Sequence, residues 1–182
     1  MTEINDLTSI LPHTGRMLLL SKITGYNSEE RSMEAEYHIT ENCLFFDSAI
    51  GGVPSWVGLE CIAQAIASFS GFSDCEKSKK PRIGFILSIS KMEVFIPVLK
   101  SGSTAVIKVK ELDRTDSIYN FDGQIFVEGV MALNGTLTIM EAQAASNQRF
   151  DAAIISTSFS STTEGSLASA KELMPEGMKN EN

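Results

Sequence analysis

The chain is poor in most residues that announce a function directly. Its three cysteines, Cys43, Cys61 and Cys75, stand far apart and form no CxxC pair. That spacing makes neither a disulfide framework nor a zinc site, so no metal is expected. Histidine occurs only as His13 and His38, and tryptophan only as Trp56. Positive charge is scarce, with 15 Lys and Arg against 23 Asp and Glu and a net charge of −8. This balance argues against nucleic acid or an anionic membrane as partner. No apolar run reaches the ~18 residues of a spanning helix once Glu60 and Gln64 are counted. The opening MTEINDLTSILPH carries acidic residues and lacks the basic start of a signal peptide. These absences lead to the expectation of a reducing, cytoplasmic setting.

What is present suffices for one domain and a tail. The 182 residues are 43% hydrophobic, enough for a core of useful size. Residues 1–143 read as the domain. Residues 144–182 are rich in serine and threonine and read as a largely disordered tail, with a short helix around 166–174. Along the domain, a helical turn over 5–11 is capped by Asn5 or Asp6 and ended by Pro12. Strand-like runs cover 17–26 and 31–39, and an irregular loop covers 40–53. A helix begins at Pro54 or Ser55 and stops at Gly71, with Val57, Cys61, Ile62, Ala65, Ile66 and Phe69 at helical spacing. Strands follow over 83–98, 103–112, 118–127 and 130–140. Turns are expected at Arg114-Thr115-Asp116 and Glu128-Gly129, and a bulge at Gly135. One helix and one antiparallel sheet make an α+β pair. A helix apolar on nearly all sides needs a sheet that curls around it or a second subunit, which points to a dimer.

One residue in that helix is out of character. Between Asp47 and Asp74 the only side chain of the Asp, Glu, Lys, Arg or His kind is Glu60. Burial raises the pKa of a carboxyl, which suits a general acid. Gln64 lies one turn on, where its amide can hold the carboxyl. The alternative is a carboxylate that reaches solvent at a subunit edge or pairs with a structural cation. Of the two histidines, His13 sits in a Pro-His-Thr-Gly loop and His38 in mid-strand; the loop is the better catalytic placement. For either histidine taken alone, a hydrogen-bonded or surface role is the commoner one. Backbone amides at Ser55, Trp56 and Val57 are donors at the positive end of the helix and could hold a thioester oxygen. Lys77, Lys79, Lys80 and Arg82 form a basic run, either a solvated loop or a dock for an acidic partner.

These residues carry a resemblance. The order of elements, and the spacing Pro54…Glu60…Gln64-Ala65, resemble the hot-dog fold of β-hydroxyacyl-carrier-protein dehydratases. LPHTGRMLLL and GGVPSWVGLECIAQAIA together are similar to a narrower branch, the ApeP-like dehydratases of aryl polyene biosynthesis. The resemblance covers roughly 10–142. It implies one long helix wrapped by a curved antiparallel sheet, and dehydration of a 3-hydroxyacyl thioester carried on acyl carrier protein. No cofactor is implied. The partner would be the carrier protein, docking on Lys77, Lys79, Lys80 and Arg82, together with a second hot-dog subunit in a homodimer or heterodimer. His13 would remove the α-proton, Glu60 would protonate the leaving hydroxyl, and Gln64 would orient Glu60. The sequence departs from the better-known dehydratases in one loop. Where they carry Gly-His-Phe-Pro-Gly, this chain has FFDSAIGGVP, without histidine. Either His13 supplies the base from the other loop, or the chain supports a catalytic partner. Hydrolysis of the thioester by a Glu60-activated water is the other enzymatic reading.

Overall fold

The computed structural model describes residues 7–76 and 84–141, with backbone alone for 73–76. Asn5, Asp6, the basic run Lys77–Arg82 and the segment 144–182 lie outside the described residues. Eight strands and one long helix follow in the order β1 Lys22–Asn27, β2 Ser32–His38, β3 Gly52–Pro54, α1 Gly58–Glu76, β4 Gly84–Val94, β5 Val98–Lys100, β6 Thr104–Thr115, β7 Ile118–Val127 and β8 Val130–Glu141. A one-turn 3₁₀ segment, Ser55–Val57, leads into α1. Six strands form one antiparallel sheet in the order β1-β2-β6-β7-β8-β4, while β3 and β5 pair separately.

Alternation along the strands decides which face the helix covers. Met33, Ala35 and Tyr37 of β2, Ala105, Ile107 and Val109 of β6, Phe121 and Ile125 of β7, and Leu133, Leu137 and Ile139 of β8 are all buried. They meet Val57, Cys61, Ile62, Ala65, Ile66 and Phe69, each buried as the helical spacing predicts. Close approach depends on glycine. A Cβ on Gly123 would lie 2.4 Å from Ile62 Cγ2, so β7 presents bare backbone where α1 crosses it. The Glu128-Gly129 turn is as expected, with φ of 52° and 79°, the paired positive values of a type I′ hairpin.

Four expectations are corrected. α1 does not stop at Gly71 but runs to Glu76. Gly71 is there because the Ile10 carbonyl oxygen packs 2.1 Å from where its Cβ would be. Gly135 is not a bulge: it pairs in register with Gly123 and with Met92. The irregularity in β8 falls instead at Ala132, between Leu133, opposite Ile125, and Met131, opposite Phe126. The run 17–26 becomes a strand only from Lys22, since the backbone of 17–20 bonds to a helix side chain, described below.

The helix is also not wrapped on every side within one chain. Glu60, Ala63, Ala67 and Ser70 form a half-buried stripe along it. β4, at the sheet edge, is exposed along its whole length, and it carries Phe85, Ile86, Leu87, Ile89, Met92 and Val94. Among the described residues no helix is long and apolar enough to cross a membrane.

Candidate active site

Glu60 lies in the first turn of α1. Leu59 on one side is half-buried and Cys61 on the other is buried. Burial pushes the Cys61 thiol up from its ordinary value, with Glu60 adding to the shift, so this cysteine is no nucleophile. The Glu60 side chain is 34% exposed, so its burial within one chain is less complete than the apolar sequence predicts. It opens onto a cavity of about 240 Å³ lined by Pro12, His13, Ala63, Ile66, Ala67 and, from the sheet, Gly84, Ile86 and Ile139. Among the described residues, no ionisable side chain apart from His13 and Glu60 lines this space.

His13 reaches the same cavity from the N-terminal loop. Its Nε2 stands 3.5 Å from Glu60 Oε1, so the two residues singled out in the sequence meet within one chain. Its Nδ1 is buried and has no hydrogen-bond partner. An orphaned acceptor is less costly than an orphaned N–H, so the neutral ring favours its proton on Nε2, facing Glu60.

Gln64 explains why the loop and helix meet there. It is wholly buried, yet every polar position of its amide is used. Nε2 donates to Glu60 Oε1 at 2.9 Å and to the Met17 carbonyl at 2.7 Å. Oε1 accepts from the Leu19 amide at 3.0 Å and, more weakly, from the Leu20 amide at 3.5 Å. Backbone groups of 17–20 that would otherwise enter a ladder are thereby satisfied by one side chain. Only the contact with Glu60 was foreseeable from the one-turn spacing. The ties to Met17, Leu19 and Leu20 leave no trace in the side chains of those residues.

The other candidates are placed elsewhere. His38 is exposed and bonds to Glu36 Oε2 at 2.9 Å. That bond, with Lys22 nearby, holds Glu36 below the usual carboxylate range. Ser55 is buried, and its amide already donates to the Pro97 carbonyl at 3.0 Å, so it is not a spare donor at the helix start. Trp56 is 61% exposed and packs edge-on to Phe45, and Val57 is buried. Among the described residues no group of three His, Cys, Asp or Glu side chains is placed to hold a metal.

A second cavity, of about 460 Å³, contains neither His13 nor Glu60. Arg31, Glu111, Tyr119 and Glu141 are among its lining residues. The sequence carried one sign of it: Glu111 continues the inward alternation of Ile107 and Val109 but ends it on a charge.

Comparison with known proteins gives a concordant picture. A family model described as ApeP dehydratase, ApeP-like, matches residues 5–151. The 3-hydroxyacyl-[acyl-carrier-protein] dehydratase FabZ of Wolinella succinogenes is 29% identical over 146 residues, covering 77% of this chain and 95% of that protein. The bifunctional enzyme LpxC/FabZ of Chlorobaculum tepidum is 29% identical over 143 residues, covering 76% of this chain; the chain spans 30% of that enzyme's length. Among solved structures, the dehydratase heterocomplex ApeI:P of Xenorhabdus doucetiae matches with a TM-score of 0.69 at 22% identity, covering 76% of this chain and 91% of that one. At that identity the likeness establishes the hot-dog fold.

Proposed function

The chain belongs to the ApeP-like dehydratases, and from that premise we propose that it removes water from a 3-hydroxyacyl thioester carried on acyl carrier protein, giving the trans-2-enoyl thioester for an aryl polyene or fatty-acid-like product. The observation that carries the reading is the meeting of His13 Nε2 and Glu60 Oε1 at the mouth of an otherwise apolar cavity. Elimination needs a base at the α-carbon and an acid at the β-hydroxyl, and a bound acyl chain would pass both groups. In the first assignment His13 takes the α-proton. Gln64 bonds to Oε1 of Glu60, leaving Oε2 to protonate the departing hydroxyl. Amides of Trp56 and Val57 hold the thioester oxygen as it gains charge.

The unpartnered Nδ1 of His13 favours a second assignment with the roles exchanged. With its proton on Nε2, His13 is placed to donate, and the Glu60 carboxylate takes the α-proton. A substrate whose leaving group needs no proton separates the two. Elimination of chloride from a 3-chloroacyl thioester, corrected for the uncatalysed rate, is expected to survive loss of the acid and not loss of the base. Activity retained in Glu60→Gln and lost in His13→Ala supports the first assignment. The reverse pattern overturns it in favour of the second.

The reaction itself is tested with a 3-hydroxyacyl thioester. Enoyl product supports dehydration, whereas free thiol without enoyl product would replace it with hydrolysis. Turnover only after a second hot-dog chain is added would make this chain a supporting subunit. The exposed edge of β4 supports the view that such a chain, identical or related, pairs there. A long exposed edge rich in apolar side chains is otherwise an aggregation site. Ile89→Lys on this strand is expected to lower the oligomeric mass in light scattering. An unchanged assembly would move the interface elsewhere.

A further inference from the structure

A third cavity, of about 210 Å³, is lined by neither His13 nor Glu60. Part of its wall is Leu19 and Leu20, the residues whose amides Gln64 holds. Thr40 and Cys43, from the loop after β2, and Tyr37, from the end of β2, line it as well. Cys43 is a free thiol and half-buried, whereas Cys61 is buried. The Thr40 amide donates to Cys43 Sγ at 3.2 Å, and the Thr40 hydroxyl oxygen stands 3.7 Å from it. The thiol itself points to the His38 carbonyl at 3.5 Å.

Tyr37 is the group this arrangement leaves unmatched. It is 3% exposed, and its hydroxyl is buried without a hydrogen-bond partner among the described residues. The other inward positions of β2, Met33 and Ala35, are apolar, and a phenylalanine would pack there as well as a tyrosine. A buried hydroxyl with no partner is a cost, and it calls for an explanation. Burial first, and then the neighbouring Cys43 thiol, push the Tyr37 phenol up, so it remains a donor. What it lacks is an acceptor. An oxygen atom bonded to Cys43 Sγ would supply one, and the cavity that both residues line has room for it.

We propose that Cys43 is a site of reversible oxidation by hydrogen peroxide, forming a sulfenic acid whose oxygen accepts from the Tyr37 hydroxyl. The sulfur attacks one peroxide oxygen. An S–O bond forms, the O–O bond breaks, and the sulfur gives up two electrons. The displaced hydroxide takes the thiol proton and leaves as water. The Tyr37 hydroxyl meets the oxygen as it is transferred. Cys61 does not resolve the product to a disulfide, because burial, with Glu60 adding to it, keeps that thiol protonated. The sulfenic acid therefore persists until an external thiol reduces it. It forms on the wall that includes Leu19 and Leu20, in the segment that Gln64 ties to the helix.

The test follows the thiol and needs no turnover, so it is independent of the dehydration proposed above. The full chain is treated with hydrogen peroxide, trapped with dimedone and read peptide by peptide in the mass spectrometer. Cys43 is expected to carry the adduct and Cys61 to stay unlabelled. Dithiothreitol added before the dimedone should restore the Cys43 thiol. Cys43 should oxidise faster in the folded chain than in the same chain unfolded in urea, where exposure is complete but Tyr37 is no longer beside it. Tyr37→Phe keeps the buried ring and removes only the unpaired hydroxyl, so its melting temperature should match the parent. It is expected to slow oxidation of Cys43 about fivefold, the worth of a net hydrogen bond. An unlabelled Cys43, equal labelling of Cys61, slower oxidation in the folded chain than in urea, or a rate unchanged by Tyr37→Phe would each overturn the proposal.

Discussion

Replacing Glu60 with Gln is expected to lower the dehydration rate by about a thousandfold, the size of a lost proton transfer. The melting temperature should stay within about 2 °C of the parent. The two outcomes belong together. A glutamine side-chain oxygen can still accept from Gln64 Nε2, which bonds to Glu60 Oε1 at 2.9 Å, so the tie between loop and helix survives. What disappears is the ability to exchange a proton, whichever of the two role assignments holds. The side chain is a third exposed, so little packing changes. Single-turnover formation of the enoyl thioester, followed by ultraviolet absorbance, gives the rate directly. A variant within tenfold of the parent would show that Glu60 is structural and that His13 works with another acid.

The same pair shows what a sequence can and cannot disclose. Glu60 and Gln64 are legible because helical periodicity fixes their relative position without tertiary information. Val57, Cys61, Ile62, Ala65, Ile66 and Phe69 are legible for the same reason, and all six are buried. The hairpin at Glu128-Gly129 is local too, a turn type selected by two residues. His13 is different. It lies 47 residues before Glu60, and its arrival at 3.5 Å depends on backbone contacts of Met17, Leu19 and Leu20 that no side chain advertises. Gly71 misleads because a glycine late in an apolar helix looks like a stop. Only the packed Ile10 carbonyl shows that it marks a close approach. Glu111 was visible as a charge in an inward alternation, but its meaning required Arg31, which is placed beside it by the turn between β1 and β2.

Gln64→Met should cost both stability and activity, and the combination is the useful part. Methionine fills a similar volume, so the loss is one of hydrogen bonds and not of packing. The variant leaves the Leu19 amide and the Met17 carbonyl without the partner that now holds them at 3.0 Å and 2.7 Å. Leu19 is itself buried, so water does not readily replace that partner. The unsatisfied Leu19 amide costs about 1–3 kcal/mol, while the carbonyl of Met17, a residue 43% exposed, is open to water and adds less. For a domain of this size that is a fall of about 5–10 °C in melting temperature. The rate should fall as well, by about a hundredfold, because the loop that carries His13 is released from the helix that carries Glu60. Gln64→Glu is the sharper companion. It keeps the acceptor for Leu19 but, when ionised, replaces the donor to Glu60 with a second carboxylate. Its stability should fall least at acid pH, where protonation restores a donor. A Gln64→Met variant with parental melting temperature and rate would mean that the loop is held by its apolar side chains alone, and that His13 and Glu60 meet without this tie.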